Sequence, residues 1–427
     1  MAPPSAPSGR IDSVEQDVLA RINAGRIHQD LTSLIAIPSV GGSEDEHEVQ
    51  SWCAERLSGI GLEVDHWKID VPTLAKEPDF PGMEVERDEA WGCVGVSGGG
   101  GDPALILNGH VDVVPPGDLD RWPNRDPYTL RDDGNVWAGR GACDMKGGVV
   151  ALIAAAAAVR ASGVTLARPF ALHTVIGEED GGLGTYATLR RGHSGDACLI
   201  AEPTNRQIVV ANAGSLTFRI EIAGRATHGS TRRAGISAIE KFEVLHGALR
   251  RLEADRNRAR HRLFGDSDLP WPLSVGIIRA GDWASTVPDL CIAEGRYGVM
   301  PGESLDEAIA AFDAAIGAAV AEDPWFSENP PTLSWPGGRF APAELSLDHP
   351  LIGHMQDAVT DAGAPFAPAV GLSCGSDMRQ YSAVGIPTLQ YGPGNIEFAH
   401  ADGEHVEPSA IVECARAYSL MILRSCL

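Results

Sequence analysis

Positive charge is scarce in this sequence, and lysine is the scarcest source of it. Lysine occurs at four of 427 positions, and Lys plus Arg number 34 against 58 Asp plus Glu, which gives a formal net charge of -24. A surface this acidic repels the phosphates of nucleic acids and of anionic lipids. The sequence therefore argues against a nucleic-acid partner and against a membrane partner.

Long apolar runs and paired cysteines are also missing. No run approaches the roughly 18 apolar residues of a membrane-spanning helix. Residues 1–10 lack the apolar stretch of a signal peptide, so we interpret them as a disordered lead. The eight cysteines are scattered singly, without a C-x-x-C pair. Scattered cysteines in a long chain are usually reduced and buried, so we expect a cytoplasmic protein.

The chain of 427 residues is too long for one compact core, and its pattern predicts two domains. Residues 1–208 and 339–427 alternate short apolar strands with helices, one of them predicted over residues 13–35, while residues 70–91 form an irregular excursion. This alternation is typical of an α/β domain with a mostly parallel sheet and helices on both faces. We predict that the two stretches build one catalytic domain.

Residues 209–338 follow a different pattern, in the order strand, helix, strand, strand, helix, strand. The first of these strands, residues 215–222, alternates apolar and polar side chains as a half-exposed strand does. A β-α-β-β-α-β order is typical of ferredoxin-like α+β units. We predict that this unit is inserted into the catalytic domain.

Histidines and carboxylates recur where the predicted strands of the catalytic domain end. The clusters are His110-Val-Asp112, a glycine-rich turn with Asp144, the doublet Glu178-Glu179, Glu202, and His400 in a C-terminal loop. Open α/β sheets hold their sites at the carboxyl ends of strands, so we expect these side chains to meet. Two histidines and three carboxylates suit a pair of zinc-type ions, with one carboxylate bridging.

Each cluster alone has an ordinary alternative. An H-x-D pair such as His110 and Asp112 is most often structural, and the turn before Asp144 partly matches a dinucleotide-binding loop, without its third glycine. The doublet of Glu178 and Glu179 is typical of a solvated turn. Adjacent side chains diverge, however, so one carboxylate can bind a metal while the other faces water, as metal-assisted hydrolysis requires.

Taken together, the motifs resemble those of one enzyme family. GHVDVVPPGD, GRGACDMKGG, GEEDGG, AEPT and AHADGE occur in the order and spacing of the zinc-dependent deacylases and exopeptidases. That family includes acetylornithine deacetylase, succinyl-diaminopimelate desuccinylase, aminoacylase and glutamate carboxypeptidase. The resemblance covers the chain from about Arg26 to its end. It implies a hydrolase of amide bonds that uses two divalent metal ions, zinc in the first place and cobalt as the alternative.

The resemblance also implies a ligand set for the two metal ions. His110 and Glu202 would bind one ion, and Glu179 and His400 would bind the other. Asp144 would bridge them. Water, rather than a side chain, would then be the nucleophile.

Further roles follow from the same resemblance. Asp112 would orient His110, and Glu178 would be the general base that moves a proton from water to the leaving nitrogen. The inserted unit resembles the family's lid and dimerisation domain. His228 would reach the site of the partner subunit in a homodimer and stabilise the oxyanion.

The substrate itself stays open at this stage. By resemblance Arg296 would grip a substrate carboxylate, and Ser376 and Arg379 would line the substrate side. The chain departs from the family pattern near the acyl and leaving-group pockets, where it has Ser285 and, after the lid histidine, Thr231. N-acyl amino acids, dipeptides and formylaminopyrimidine-type amides all remain candidates.

A serine hydrolase is the alternative from another enzyme class. Gly371-Leu-Ser373-Cys-Gly375 matches the G-x-S-x-G pattern of a nucleophile elbow, with His405 and Asp402 downstream. Only 52 residues follow Gly375, which leaves little room for the rest of such a sheet. This interpretation also leaves the metal-type residues without a role.

Overall fold

The computed structural model describes residues 11–265 and 267–427, so the lead predicted for residues 1–10 lies outside the described residues. The helices are α1 (Ser13–Ala20), α2 (Ala24–Ala36), α3 (Asp45–Gly59), α4 (Val71–Leu74), α5 (Lys146–Ser162), α6 (Leu183–Arg190), α7 (Ala238–Arg256), α8 (Leu305–Glu322), α9 (Pro350–Asp361), α10 (Met378–Ala383) and α11 (Pro408–Cys426). The strands are β1 (Glu63–Lys68), β2 (Trp91–Val96), β3 (Leu105–His110), β4 (Arg131–Asp132), β5 (Trp137–Ala138), β6 (Phe170–Val175), β7 (Cys198–Ile200), β8 (Ile208–Asn212), β9 (Gly214–Ala223), β10 (Leu273–Ala280), β11 (Leu290–Val299), β12 (Thr332–Ser334), β13 (Arg339–Phe340), β14 (Ala343–Glu344), β15 (Ala369–Leu372), β16 (Thr388–Gln390) and β17 (His405–Val406).

The chain divides into two compact units. The larger unit contains the residues through Val210 together with Glu344–Val370 and Asp377–Leu427, and the smaller unit contains Ala211–Ala343 and Gly371–Ser376. The short segment Gly371–Ser376 lies within the range 339–427 that the sequence pattern assigns to the catalytic domain. The chain therefore passes between the two units four times, and not twice as the predicted boundaries imply.

A mixed sheet forms the centre of the larger unit. Its strand order is β1-β2-β6-β3-β7-β16-β8-β14, with β15 beside β8. The central strands β6, β3, β7 and β16 run parallel to one another, while β1, β2 and β8 are antiparallel to their neighbours. The predicted α/β class is confirmed, with parallel strands at the core of a mixed sheet and antiparallel strands on either side of that core. The carboxyl ends of β3, β6 and β7 consequently lie at the same edge.

Helices cover both faces of this sheet. Gly109 and Thr174 share a face through the register of β3 and β6, and on that face Val149 of α5 and Gln50 of α3 pack. Asn108 lies on the other face and donates to Tyr381 of α10. Twelve of the 17 residues of α5 are buried, and α11 and α2 pack against this helix. This burial fits the apolar sequence of α5.

The smaller unit has its own antiparallel sheet, in the order β10-β11-β9-β12, with β13 also on β9. β9 and β11 pair along ten residues, from Gly214 opposite Val299 to Ala223 opposite Leu290. Side chains of β9 alternate between buried and half-buried, as predicted. α7 follows the first strand and α8 follows the third, which is the predicted β-α-β-β-α-β order.

Both helices of the smaller unit pack on one face of its sheet. The core there contains aromatic side chains from two layers: Phe218 of β9 lies 5.0 Å from Phe312 of α8, and Tyr297 of β11 lies 5.3 Å from the same ring, measured between ring centroids. Offset or edge contacts of this kind stabilise a core beyond the burial of apolar area. The smaller unit thus has a hydrophobic core of its own.

One predicted helix is divided in the structure. The continuous periodicity of residues 13–35 predicts a single helix, but α1 ends at Ala20 and α2 begins at Ala24. The side chain of Asn23 accepts the N–H of Arg26 and so caps a new helix. Among the described residues, no helix is both long and apolar enough to cross a membrane.

Candidate active site

His110 is the last residue of β3, so its ring leaves the sheet at the carboxyl end of a central strand. Nδ1 lies 3.0 Å from the carbonyl oxygen of Asp112, which can only accept, so in the neutral ring Nδ1 carries the proton. Nε2 then presents its lone pair, as a metal-binding histidine does. The carboxylate of Asp112 is farther from Nδ1, at 3.7 Å.

Asp144 stands between the two histidines of the sequence clusters. Its Oδ1 lies 3.0 Å from Nε2 of His110, and its Oδ2 lies 3.5 Å from Nε2 of His400. The two oxygens of one buried carboxylate thus face two different imidazole rings. Glu202, two residues after β7, brings its Oε2 to 3.8 Å from the same nitrogen of His110.

Glu178 and Glu179 follow β6 and point in different directions. Their backbone amides donate to the carboxylate of Asp112 at 3.4 and 3.2 Å, so Asp112 supports the turn as well as the ring of His110. Glu179 places its carboxylate 3.0 Å from Nε2 of His400. Oε1 of Glu178 is buried and has no hydrogen-bond partner among the described residues. The two adjacent carboxylates thus have different surroundings, as the sequence analysis predicts for neighbouring side chains.

His400 is the one solvent-exposed member of the cluster, and its backbone is unusual. Its φ of 61° lies in the left-handed region, which costs a non-glycine residue about 1–3 kcal/mol. Such conformations concentrate at functional sites, where surrounding contacts hold them. Here the ring contacts both Glu179 and Asp144, so the strained backbone directs this ring at the carboxylates.

The electrostatics of the cluster reflect an excess of carboxylates. Burial raises the pKa of the Glu178 carboxyl well above its usual range, and the charges of Glu202 and Asp377 raise it further. Burial also raises the pKa of Glu202. Hydrogen bonds to Asp144 and Glu179 raise the pKa of His400 to about 11. Cationic charge is therefore strongly favoured between these side chains.

The donor set fits divalent metal ions. Ligand atoms of His110, Asp144 and Glu179 lie within 4.8 Å of one another, and so do those of His110, Glu178 and Glu202. Two ligand atoms of a tetrahedral zinc site lie about 3.4 Å apart, given bonds of roughly 2.0–2.2 Å. The distances of 3.0–3.8 Å around His110 match that spacing. The imidazole and carboxylate donors are those that zinc prefers.

Two supporting residues of Asp144 could not be identified from the sequence. Oε1 of Glu404 accepts the backbone N–H groups of Cys143 and Asp144, both at 2.9 Å. Its Oε2 binds buried Arg140 at 2.6 Å. Glu404 belongs to the AHADGE motif, and the only signal for its role is that membership. It lies 260 residues from the turn that it holds.

Arg379 lies beside the doublet's loop, within the larger unit. Its Nη2 donates to the carbonyl oxygen of Gly181 at 2.6 Å, and its side chain is buried. Gln380 next to it donates to the carbonyl of Gly182 at 2.7 Å. The structure therefore shows Arg379 as an anchor of the loop that carries Glu178 and Glu179. Its role toward a substrate stays a prediction.

The smaller unit brings together the other two residues predicted for the substrate side. Arg296 of β11 donates from Nη2 to the carbonyl oxygen of Ser373 at 2.9 Å. Ser376, at the end of the same segment, donates from its hydroxyl to Oδ1 of Asn212 at 3.2 Å. Nδ2 of Asn212 donates to the carbonyl of Cys374. Arg296 and Ser376 are thus linked through the Gly371–Ser376 segment.

His228 is exposed in a loop of the smaller unit. Its Nδ1 lies 2.7 Å from the hydroxyl of Ser230 and 3.1 Å from the backbone N–H of that residue. An isolated β-bridge joins its backbone to Thr286. Among the described residues, none forms a hydrogen bond with Nε2 of His228. The loop contacts the ring through Nδ1.

The serine-hydrolase interpretation finds no support in this geometry. β15 ends at Leu372, and α10 begins only at Met378, so Ser373 does not occupy a tight strand-to-helix turn. His405 is engaged through Nδ1 with the carbonyl of Gly403, and Asp402 pairs with Arg121. His405 and Asp402 thus each have another partner.

Comparison with known proteins gives a consistent family. The profile described as Peptidase family M20/M25/M40 matches residues 106–424. The chain is 28% identical to N-formyl-4-amino-5-aminomethyl-2-methylpyrimidine deformylase from Bacillus subtilis, over 88% of this chain and 89% of that protein. It is 30% identical to acetylornithine deacetylase from Erwinia tasmaniensis, over 88% of this chain and 92% of that protein.

A solved structure extends this likeness to the fold. The di-peptidase Dug1p from Saccharomyces cerevisiae superposes with a TM-score of 0.78, and the match covers 97% of this chain and 99% of that chain. The sequence identity is 15%, so this comparison bears on the fold and not on the substrate. The matched length indicates the same overall course of the chain in both proteins.

Proposed function

This chain belongs to peptidase family M20/M25/M40, and we propose that within this family it is a deacylase that cleaves the amide bond of an N-acyl amino acid or a related small amide. The chain is a hydrolase of amide bonds, as its relatives are. The deformylase and deacetylase relatives remove a small acyl group from nitrogen. The observation that carries the proposal is the cluster in which the buried carboxylate of Asp144 faces both His110 and His400.

We propose a ligand set for two divalent ions, zinc in the first place and cobalt as the alternative. His110 and Glu202 would hold one ion, Glu179 and His400 the other, and Asp144 both, which agrees with the oxygen-by-oxygen contacts of Asp144. Bound there, the ions would supply Lewis acidity toward the substrate carbonyl and toward water.

The protein's own groups then carry the proton transfers. Glu178, whose Oε1 is buried and has no hydrogen-bond partner among the described residues, accepts a proton from the attacking water and returns it to the leaving nitrogen. Asp112 fixes the backbone of Glu178 and Glu179 through two amide hydrogen bonds, and its carbonyl fixes the tautomer of His110. Glu404 keeps Asp144 in place from behind.

Recognition of the substrate involves three further residues in this proposal. Arg296 would bind a substrate carboxylate, since its guanidinium can offer a planar pair of donors. Ser376 and Arg379 would line the substrate side. Burial lowers the pKa of Arg379, but a guanidinium keeps its charge at neutral pH all the same.

Hydrolysis of a substrate panel with added zinc or cobalt tests the proposed function. The panel contains N-acetyl-L-ornithine, other N-acetyl and N-succinyl amino acids, a formylaminopyrimidine amide and unblocked dipeptides. We expect at least one N-acyl compound to show a kcat/KM at least tenfold above that of every dipeptide. A dipeptide at the top of the ranking would instead establish the alternative, a metallo-dipeptidase or carboxypeptidase of the same family. Absence of metal-dependent hydrolysis across the panel would contradict the proposal.

We also propose that the smaller unit mediates a homodimer. β10 is an edge strand of its sheet, and Ile277 and Ile278 on it are 43% and 54% exposed. Trp283, in the loop after β10, is 73% exposed. Apolar side chains on an open strand edge favour pairing with another chain, and a two-fold axis satisfies both edges at once. The eight free cysteines support a reducing, cytoplasmic location for this dimer.

The homodimer proposal gives His228 a testable role in the partner's site. His228→Ala is expected to lower kcat by about 10²–10³-fold with bound metal unchanged, the loss typical of one oxyanion donor. His246→Ala, which removes another histidine of the smaller unit, is the matched control and should retain kcat. Subunits with His228→Ala mixed with subunits carrying Glu178→Ala should regain part of the activity, because one hybrid site holds both groups. A mixture that recovers nothing despite proven subunit exchange would show that His228 does not act in the partner's site.

A further inference from the structure

The loop that carries Glu178 and Glu179 has little rigidity of its own. The loop consists of residues 177–182, and three of these six, Gly177, Gly181 and Gly182, are glycines with positive φ. Glycine has the largest conformational freedom of any residue, so such a loop needs external contacts to hold one shape. The amides that face Asp112 make long hydrogen bonds of 3.4 and 3.2 Å. The orientation of both carboxylates therefore depends on the other contacts that hold the loop.

A segment of the irregular excursion grips it from outside the motifs. We call residues 77–87 the strap. The backbone N–H of Glu84 donates to the carbonyl of Asp180, and that of Val85 donates to its carboxylate, both at 3.0 Å. A Cβ added at Gly181 would lie only 2.2 Å from the carbonyl oxygen of Gly82. The two backbones are therefore in direct contact, and only glycine fits at position 181. Asp180 is thus held by main chain and by side chain.

Arg87, the last residue of the strap, completes the grip. Its side chain is fully buried between two carboxylates, and it binds Asp180 through Nη1 at 2.9 Å and Nη2 at 2.7 Å. Nε and Nη2 bind Glu46 of α3 at 2.8 and 2.9 Å. Nη1 also donates to the carbonyl of Val85. All five N–H groups of the guanidinium are used, which a lysine cannot reproduce.

The other end of the strap is anchored to α6, the helix that follows the loop. The hydroxyl of Tyr186 lies 2.7 Å from Oε2 of Glu77 and 2.9 Å from Oδ1 of Asp79. Phe80 packs edge-on against the ring of Tyr186, with centroids 5.7 Å apart. The strap therefore contacts the loop and its continuation at both ends, while α3 provides the fixed base through Glu46.

From these contacts we propose that Arg87 is a positioning residue for the reaction: through Asp180 it sets the direction of Glu178 and Glu179. The inference rests on the proposed function, in which these two glutamates are base and ligand. Displacement of a reacting group by about 1 Å can cost on the order of 10²-fold in rate. Loss of the fork should therefore lower kcat much more than it changes KM.

The test compares Arg87→Lys with a matched arginine elsewhere. Arg424 on α11 also bridges two carboxylates, Glu15 at 2.7 Å and Asp361 at 2.7 Å, and neither is part of the loop. We expect Arg87→Lys to lower kcat by about 10- to 100-fold on N-acetyl-L-ornithine, or on the best substrate of the panel, with KM within about twofold. Arg424→Lys should keep kcat within about twofold of wild type, because neither carboxylate that it binds belongs to the loop.

Two further measurements separate positioning from general destabilisation. Asp180→Asn should lower kcat like Arg87→Lys, and the double variant should lose no more than the worse single variant, because both changes remove the same contact. If Arg87→Lys fails to fold, the Asp180→Asn variant alone provides the test. In the metal-free proteins, hydrogen exchange of residues 176–182 should accelerate in Arg87→Lys and not in Arg424→Lys. The inference is overturned if Arg87→Lys keeps kcat as Arg424→Lys does, or if the losses multiply.

Failure of this inference is distinguishable from failure of the proposed function. If Glu178→Gln is inactive and Arg87→Lys is fully active, only the role of Arg87 is wrong. If Glu178→Gln itself retains full kcat, the base assignment is wrong, whatever Arg87 does.

Discussion

Replacement of Glu178 by glutamine is expected to lower kcat by about 10²–10⁴-fold, the usual contribution of a general base. Glutamine keeps the shape of the side chain but cannot accept a proton at Oε1. That oxygen is buried and has no hydrogen-bond partner among the described residues, so it is free to accept a proton from the attacking water. The metal content of the variant should equal that of wild type, and the measurement is steady-state kinetics with metal analysis of the same sample.

The neighbouring residue provides the control for this prediction. Glu179 contacts His400 at 3.0 Å, so Glu179→Ala should lose bound metal as well as activity. If Glu178→Gln lost metal and Glu179→Ala kept it, the roles within the doublet would be reversed. The two variants differ by one position in the sequence, so a general effect on folding should appear in both.

Removal of metal is expected to abolish hydrolysis completely. The cluster holds four acidic side chains and two histidines, and no serine or cysteine in it is placed as a nucleophile. Activity should disappear on dialysis against a chelator and return when zinc or cobalt is added back. Stoichiometric labelling of Ser373 by a phosphonate, with loss of activity, would point instead to the serine mechanism.

Addition of metal should also stabilise the folded protein. Burial raises the pKa values of Glu178 and Glu202 in the metal-free cluster, so these carboxylates are costly to ionise there. A bound divalent cation favours their ionised forms and binds only the folded arrangement. Tm should therefore rise with metal concentration in wild type, and the rise should be much smaller in Asp144→Ala.

Much of the fold follows from local sequence patterns. The alternation of residues 215–222 predicts β9 because a half-buried strand must alternate, and the structure confirms it. Strand ends predict which side chains lie close together because parallel strands deliver their carboxyl ends to one edge, and His110 and Glu202 do lie within 3.8 Å of each other. The sequence pattern does not predict the break at Asn23, because the apolar periodicity continues across that position. A single capping side chain decides where the helix restarts.

The supporting residues lie beyond such patterns. Arg87 pairs with Glu46 and Asp180, which are 41 and 93 positions away, and Glu404 holds a turn 260 positions away. No periodicity or motif links partners at those separations. Their pairing is fixed by tertiary packing. The sequence does not indicate which arginines are buried, because most arginines lie at the surface.

The two-metal mechanism is tested most directly by a titration of metal into metal-free enzyme, with turnover and bound metal measured in the same samples. We expect no turnover at zero metal, a rise in turnover with each addition, and saturation at two ions per chain. Glu178→Gln should bind the same two ions without turnover. Full turnover in enzyme that holds less than about one tenth of an ion per chain would contradict a metal-dependent mechanism, because water would then be activated without metal bound at the His110–Asp144–His400 cluster.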